Sequence, residues 1–166
     1  TSRSDVYESE EKTRTRQIVT DKLFHLIRGW VSSVGSSRNV ESAYLVDGGG
    51  TQLHIFGSTR LGVHAPDADV DVLVICPNYI SRNDFFTSLK ELLQSRSDVL
   101  SLSTVPEAYT PVMKFSMDNQ PVDMIFASLP SYQCIPKDLN LLDVRVFEGL
   151  DDKAIRSING SRVTER

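Results

Sequence analysis

The chain has 166 residues, 40% hydrophobic and 24% charged, a balance that suits one globular domain with its own core and excludes a disordered chain or a solenoid array. Its net charge is −4, from 18 basic and 22 acidic residues, whereas domains that hold nucleic acid mainly through phosphate contacts are usually strongly basic, so this stretch alone is expected to grip RNA or DNA poorly. No apolar run approaches the roughly 18 to 20 residues that span a bilayer, and no lysine-led apolar segment resembles a signal peptide; the expectation is a soluble, intracellular protein with no membrane contact.

Apolar side chains at Val19, Leu23, Leu26, Ile27, Trp30, Val31 and Val34 recur at spacings of three and four and predict an amphipathic helix over Ser9 to Val34. Gly35-Ser36-Ser37-Arg38-Asn39 has the composition of a loop, Val40 to Val46 carries no clear pattern, and Asp47-Gly48-Gly49-Gly50 predicts a flexible turn before a strand at Gln52 to Phe56. Asp69 to Cys76 places valines on one face and Leu73 and Ile75 on the other, which predicts a strand buried on both sides at the centre of its sheet. Ser81-x-x-Asp84 offers a capping box to a helix whose Phe85, Phe86, Leu89, Leu92 and Leu93 form one stripe. Strands follow at Val99 to Val105, Pro111 to Met117 and Pro121 to Leu129, the last two joined as a hairpin through Asp118-Asn119. Asp151 is expected to cap a short helix that ends at Asn159-Gly160. Cys76 and Cys134 lie in unrelated stretches and are expected to be buried thiols rather than a disulfide or zinc pair.

The informative residues are carboxylates in the wrong places. Asp69 and Asp71, two apart at the head of a doubly buried run, would project from one face about 7 Å apart and repel each other. Asp123 stands inside Val122-Asp123-Met124-Ile125-Phe126, where an unpaired carboxylate would cost several kcal/mol unless a cation or donors met it. Three carboxylates on two neighbouring core strands imply a shared counter-ion, and oxygen ligands without histidine favour Mg²⁺ or Mn²⁺ over zinc. Upstream, Gly57-Ser58 stands where a strand runs into a turn, a place where backbone N–H groups and a hydroxyl can approach a phosphate. Gly48-Gly49-Gly50 is no phosphate-binding loop, since no Gly-Lys-Ser/Thr follows. His25, His54 and His64 have no metal spacing and read as ordinary imidazoles.

The order Gly57-Ser58, Asp69-Val70-Asp71, Asp123 resembles the nucleotidyltransferase superfamily related to DNA polymerase β, and the strings FGSTRLGVHAPDADVDVLVICP, YTPVMKFS, VDMIFASL and IRSINGSRVT resemble eukaryotic nuclear-type poly(A) polymerases in particular. The resemblance runs from about Glu8 to Thr164. It implies an α/β (α+β) fold, a mixed β-sheet flanked by helices like the polymerase β palm, forming one catalytic domain over residues 1–166 with 1–8 flexible. Asp69 and Asp71 would be ligands of two Mg²⁺ or Mn²⁺ ions, with Asp123 the third carboxylate, beside the primer 3′ hydroxyl. Gly57 and Ser58 would bind the triphosphate, Asn159 would approach the nucleotide, and Lys114 would lie near the primer end. Thr59 stands where the family commonly has tyrosine, and Asp67 where it often has a small residue. Tyr109-Thr110-Pro111 replaces a more apolar string, so Thr110 would alter the base contacts of the nucleotide pocket.

The activity implied is template-independent addition of AMP from ATP to an RNA 3′ end. The central and RNA-binding domains of the family are absent from this chain, so the fragment is expected to be weakly active or inactive and to leave RNA binding mainly to those domains. Proteins of a polyadenylation complex are implied as partners, and the nucleus as the compartment, with the cytoplasm as a second. Two other readings compete: a nucleotidyltransferase of different base choice, such as a terminal uridylyltransferase, and a catalytically silent binding module. Three mutually repelling carboxylates, which a scaffold has no need to keep, argue against the last.

Overall fold

The computed structural model describes residues 3–56 and 69–164. Its centre is a five-stranded sheet in the order β1-β2-β5-β4-β3, built from β1 (Gln52–Phe56), β2 (Val70–Cys76), β3 (Val99–Val105), β4 (Val112–Met117) and β5 (Gln120–Ser128). β2 and β5 are parallel, and every other neighbouring pair is antiparallel. The sheet is therefore mixed, with helices α1 (Arg3–Ser37), α2 (Arg82–Asp84), α3 (Lys90–Gln94) and α4 (Asp152–Thr164) around it. None of the described helices is long and apolar enough to cross a membrane.

Alternation along β2 divides the core in two. Val70, Val72, Val74 and Cys76 pack toward α1 and residues 82–94, whereas Leu73 and Ile75 join Ile125, Ala127, Ala154 and Ile158 beneath α4. The doubly buried central strand expected from the sequence is thus present, although Asp69 falls one residue before its start and is exposed. On α1, Val19, Leu23, Ile27, Trp30 and Val31 are buried, while Leu26 and Val34 are packed against them and partly exposed. Asp118 and Asn119 both take left-handed backbone angles, φ 51° and 66°, as a two-residue type I′ hairpin turn demands.

Several expectations need correction. The first helix absorbs Gly35 to Ser37, and the unassigned stretch contains a 3-10 turn at Ser42–Tyr44. The glycine run is packed rather than flexible: Gly48 and Gly49 are buried at positive φ, and a Cβ on Gly48 would sit 2.6 Å from the Arg28 Cα. The helix over residues 82–94 has the expected capping box but passes through a π turn at Phe85–Leu89, and Leu92 faces outward while Phe85, Leu89 and Leu93 are fully buried. Cys134 is exposed; only Cys76 is buried. α4 runs through Asn159-Gly160 to Thr164, since one helical glycine costs only about 1 kcal/mol and Ala154 and Ile158 anchor the helix on the sheet.

Candidate active site

Strand register assembles the site. Asp71 pairs across the parallel ladder with Asp123, Asp123 pairs with Lys114 on β4, and Phe56 at the end of β1 lies opposite Asp71 on the other side. Neighbouring strands lie about 4.8 Å apart, so two carboxylates and an ammonium form one row across the middle of the sheet. They share the α4 face, because Asp71 has the parity of Leu73 and Ile75, and Asp123 that of Ile125 and Ala127.

The row is electrostatically unbalanced. Burial, followed by the like charges of Asp123 and Asp69, pushes the Asp71 carboxyl up to about 6, against a smaller opposing pull from Lys114. Asp69, exposed as a residue but partly desolvated at its carboxyl, is raised as well, by that desolvation first and then by the charge of Asp123, with which it also shares a hydrogen bond. Lys114 Nζ stands 3.2 Å from Asp123 Oδ2, and its side chain is 49% exposed. An ion pair so open to water is worth about 0 to 1 kcal/mol, so Asp123 can exchange this partner for another cation at little cost.

Among the described residues no three His, Cys, Asp or Glu side chains converge to enclose a metal ion as they stand. The donor chemistry nevertheless fits a hard divalent cation: the aspartates offer only oxygen, and positive charge would offset the burial and like-charge repulsion that raise the Asp71 carboxyl.

Comparison with known proteins adds a family to this geometry. The family model for the poly(A) polymerase nucleotidyltransferase domain matches residues 2–166. The chain belongs to that family. Two poly(A) polymerases of Candida albicans (strain SC5314 / ATCC MYA-2876), PAPalpha and PAPa, are 36% and 38% identical to it over 159 residues, 96% of this chain. The poly(A) polymerase pla1 of Schizosaccharomyces pombe (strain 972 / ATCC 24843) is 35% identical over 162 residues, 98% of the chain. In each case the chain spans 28% of the relative's length. Among solved structures, the polymerase core of TRAMP, an RNA surveillance complex, aligns with 69% of this chain and 32% of its own at 20% identity, with a TM-score of 0.44. The GLD-2/RNP-8 complex aligns with 75% of this chain and 44% of its own at 18% identity, with a TM-score of 0.42.

In this nucleotidyltransferase domain two of the remaining sequence-derived candidates, Asn159 and Thr110, fall among the described residues. Gly57 and Ser58 lie outside the described residues. Asn159 is exposed on α4, directly after the buried Ile158 and so on the helix that covers the carboxylate face. Thr110 is half-buried just before β4, four residues and therefore about 13 Å of extended chain from Lys114; it stands apart from the row. Lys114, singled out in the sequence for the primer, is joined to Asp123 by a hydrogen bond.

Two features were not singled out in the sequence. Ser103 on edge strand β3 is in register with Lys114 and extends the row by one strand. Arg156 of α4 stacks over the Tyr109 ring at 4.2 Å and donates from Nε to the Tyr109 carbonyl at 2.6 Å, fastening the helix that carries Asn159 to the loop that carries Thr110. Neither has a local sequence signal, since each depends on pairing between distant segments.

Proposed function

We propose that the full-length protein is a template-independent polynucleotide adenylyltransferase that transfers AMP from ATP to the 3′ end of RNA. The observation that carries this reading is the pairing of Asp71 with Asp123 on the two parallel central strands, with Asp69 adjoining and Lys114 as a displaceable counter-charge. Membership of the poly(A) polymerase nucleotidyltransferase domain family supports the choice of chemistry.

Asp69, Asp71 and Asp123 would hold two Mg²⁺ or Mn²⁺ ions, which when bound supply Lewis acidity toward the triphosphate and lower the pKa of the attacking hydroxyl. The residues of the chain do the positioning. Asp123 accepts a hydrogen bond and then the proton from the RNA 3′ hydroxyl, whose oxygen attacks the α-phosphorus in line as the bond to pyrophosphate breaks. Lys114, released from Asp123, neutralises phosphate charge near the primer end. Gly57 and Ser58 hold the triphosphate through backbone N–H and hydroxyl donors, and Asn159 and Thr110 contact the nucleotide. The same reading makes mRNA processing the context, the nucleus the compartment and proteins of a polyadenylation complex the partners.

The test is extension of an unstructured RNA by the full-length protein with each nucleoside triphosphate offered separately. ATP should be used best, and Asp71→Ala should abolish extension. Preferential use of UTP would make the protein a uridylyltransferase, and extension that survives Asp71→Ala would refute the site.

A further inference from the structure

A groove of about 520 Å³ runs beside β1 at the end away from the carboxylates. Gln52, which lines it, is four residues along the strand from Phe56, so it lies about 13 Å from the catalytic row. Its volume falls in the range of roughly 300 to 1,000 Å³ common to ligand sites. The floor is apolar, formed by Phe24 of α1, Leu53 of β1 and Ile135.

The rim has the opposite charge to the rest of the protein. Arg28 and Lys137 face one carboxylate, Asp47, in a chain whose net charge is −4. Arg28 is held in place, with Nε donating to the Thr51 carbonyl at 3.0 Å and the guanidinium 4.1 Å from the Phe24 ring centroid. That stacking competes with a nucleic-acid base for the Phe24 ring. An apolar floor wants a bulky side chain, and a cationic rim wants carboxylates.

We propose that this groove is a docking site for an extended acidic peptide segment of a partner protein, with a large apolar side chain on the floor and flanking carboxylates against Arg28 and Lys137. The occupant is a peptide rather than RNA, because Phe24 is the only Phe, Tyr or Trp among the described lining residues and Arg28 already stacks on its ring.

Cys134 supplies a local reporter. It is exposed and lines the groove, whereas Cys76 is fully buried with its thiol pushed far up by burial, so alkylation reads Cys134 alone. The probe is a synthetic peptide of roughly ten residues with one central phenylalanine flanked by aspartates, an extended segment of the kind such grooves take. Maleimide labelling of Cys134 should slow by at least about fivefold at saturating peptide. A matched peptide with lysines for aspartates, and oligoadenylate RNA of the same net charge, should leave the rate unchanged. In Lys137→Glu, an exposed substitution that leaves the floor intact, the ratio of rates without and with acidic peptide should return to one. Absence of protection by the acidic peptide, equal protection by the lysine peptide or by RNA, or protection that persists in Lys137→Glu would each overturn the proposal.

Discussion

Asp71 is the residue whose surroundings disagree most with its chemistry. Its carboxyl is pushed up to about 6 by burial and by Asp123 and Asp69, so Asp71→Asn removes a repulsion and should leave thermal stability equal or higher while full-length activity collapses. Asp123→Ala deletes one half of an exposed ion pair, which should change unfolding free energy by less than about 1 kcal/mol. If Asp123 acts as proposed, holding the metal that activates the 3′ hydroxyl, its loss should lower the extension rate by at least about 10³-fold, several kcal/mol of transition-state stabilisation. Near-normal extension by Asp123→Ala would remove this residue from the mechanism. Mn²⁺ with ATP, at tenfold above its dissociation constant, should stabilise the domain by about 1.4 kcal/mol, roughly 3 to 6 °C in melting temperature for a chain of this size. The triple replacement of Asp69, Asp71 and Asp123 by Asn should cancel that shift, and a persisting shift would place the ion elsewhere. Asp71 and Asp123 drew notice in the sequence because each is a charge set into an apolar strand pattern, and Asp69 because it stands two residues before Asp71. The Lys114–Asp123 pairing was not, because it depends on hairpin register; Gly57-Ser58 drew notice as a strand-to-turn pair, whereas the roles given to Thr110 and Asn159 rest on family resemblance alone.

At the scale of elements, the turn between α1 and β1 and the α1–hairpin contact make opposite demands on the chain. Gly48 has φ +61°, and a Cβ there would lie 2.6 Å from both the Cα and the carbonyl oxygen of Arg28. Gly48→Ala should therefore cost about 2 to 4 kcal/mol in urea unfolding, combining left-handed strain with overpacking. Gly29, within α1, has nothing within 4 Å of the place a methyl group would take, so Gly29→Ala should instead stabilise by roughly 0.5 to 1 kcal/mol. A stabilised Gly48→Ala would contradict the packing of this turn. Lys22 of α1 reaches Asp118 at 2.7 Å and Asp98 at 3.2 Å, and Arg96 joins Asp98 at 2.9 Å. Hydrogen bonds from Arg96 first, then Lys22, hold the Asp98 carboxyl at about 2 against some opposing burial. A depressed carboxyl contributes stability that is complete above its unfolded value of about 3.9 and disappears as pH falls through the folded value. The stability gap between the native chain and Asp98→Asn should thus be constant above pH ~4 and shrink toward zero near pH ~2; a gap that is flat with pH would refute it. Strands and hairpin were readable because burial and turn chemistry are local. The 3-10 turn at Ser42–Tyr44 and the extension of α4 past Gly160 were not, because partners distant in sequence decide them.

For the whole molecule, the sheet separates two tasks. Its centre supplies rigidity through strands buried on both faces, and the start of β2 and β5 concentrates negative charge on the α4 side. Such a face repels an RNA backbone until cations are bound. The chain as a whole adds to the repulsion, with 22 acidic against 18 basic residues, so few counterions would be released from RNA on contact. The poly(A) polymerases it matches are more than three times its length, the chain spanning 28% of them. The 166 residues alone should therefore bind oligoadenylate weakly, with a shallow dependence of log affinity on log salt, and should extend a primer at no more than about a hundredth of the full-length rate, since misplacement by about 1 Å already costs on the order of 10²-fold. The comparison is made at equal concentration in low salt with Mg²⁺ or Mn²⁺, scoring binding by anisotropy and extension by gel. A fragment that matches the full-length protein in either assay would show that these residues carry the whole RNA site, and that the negative face is offset by cations within this chain.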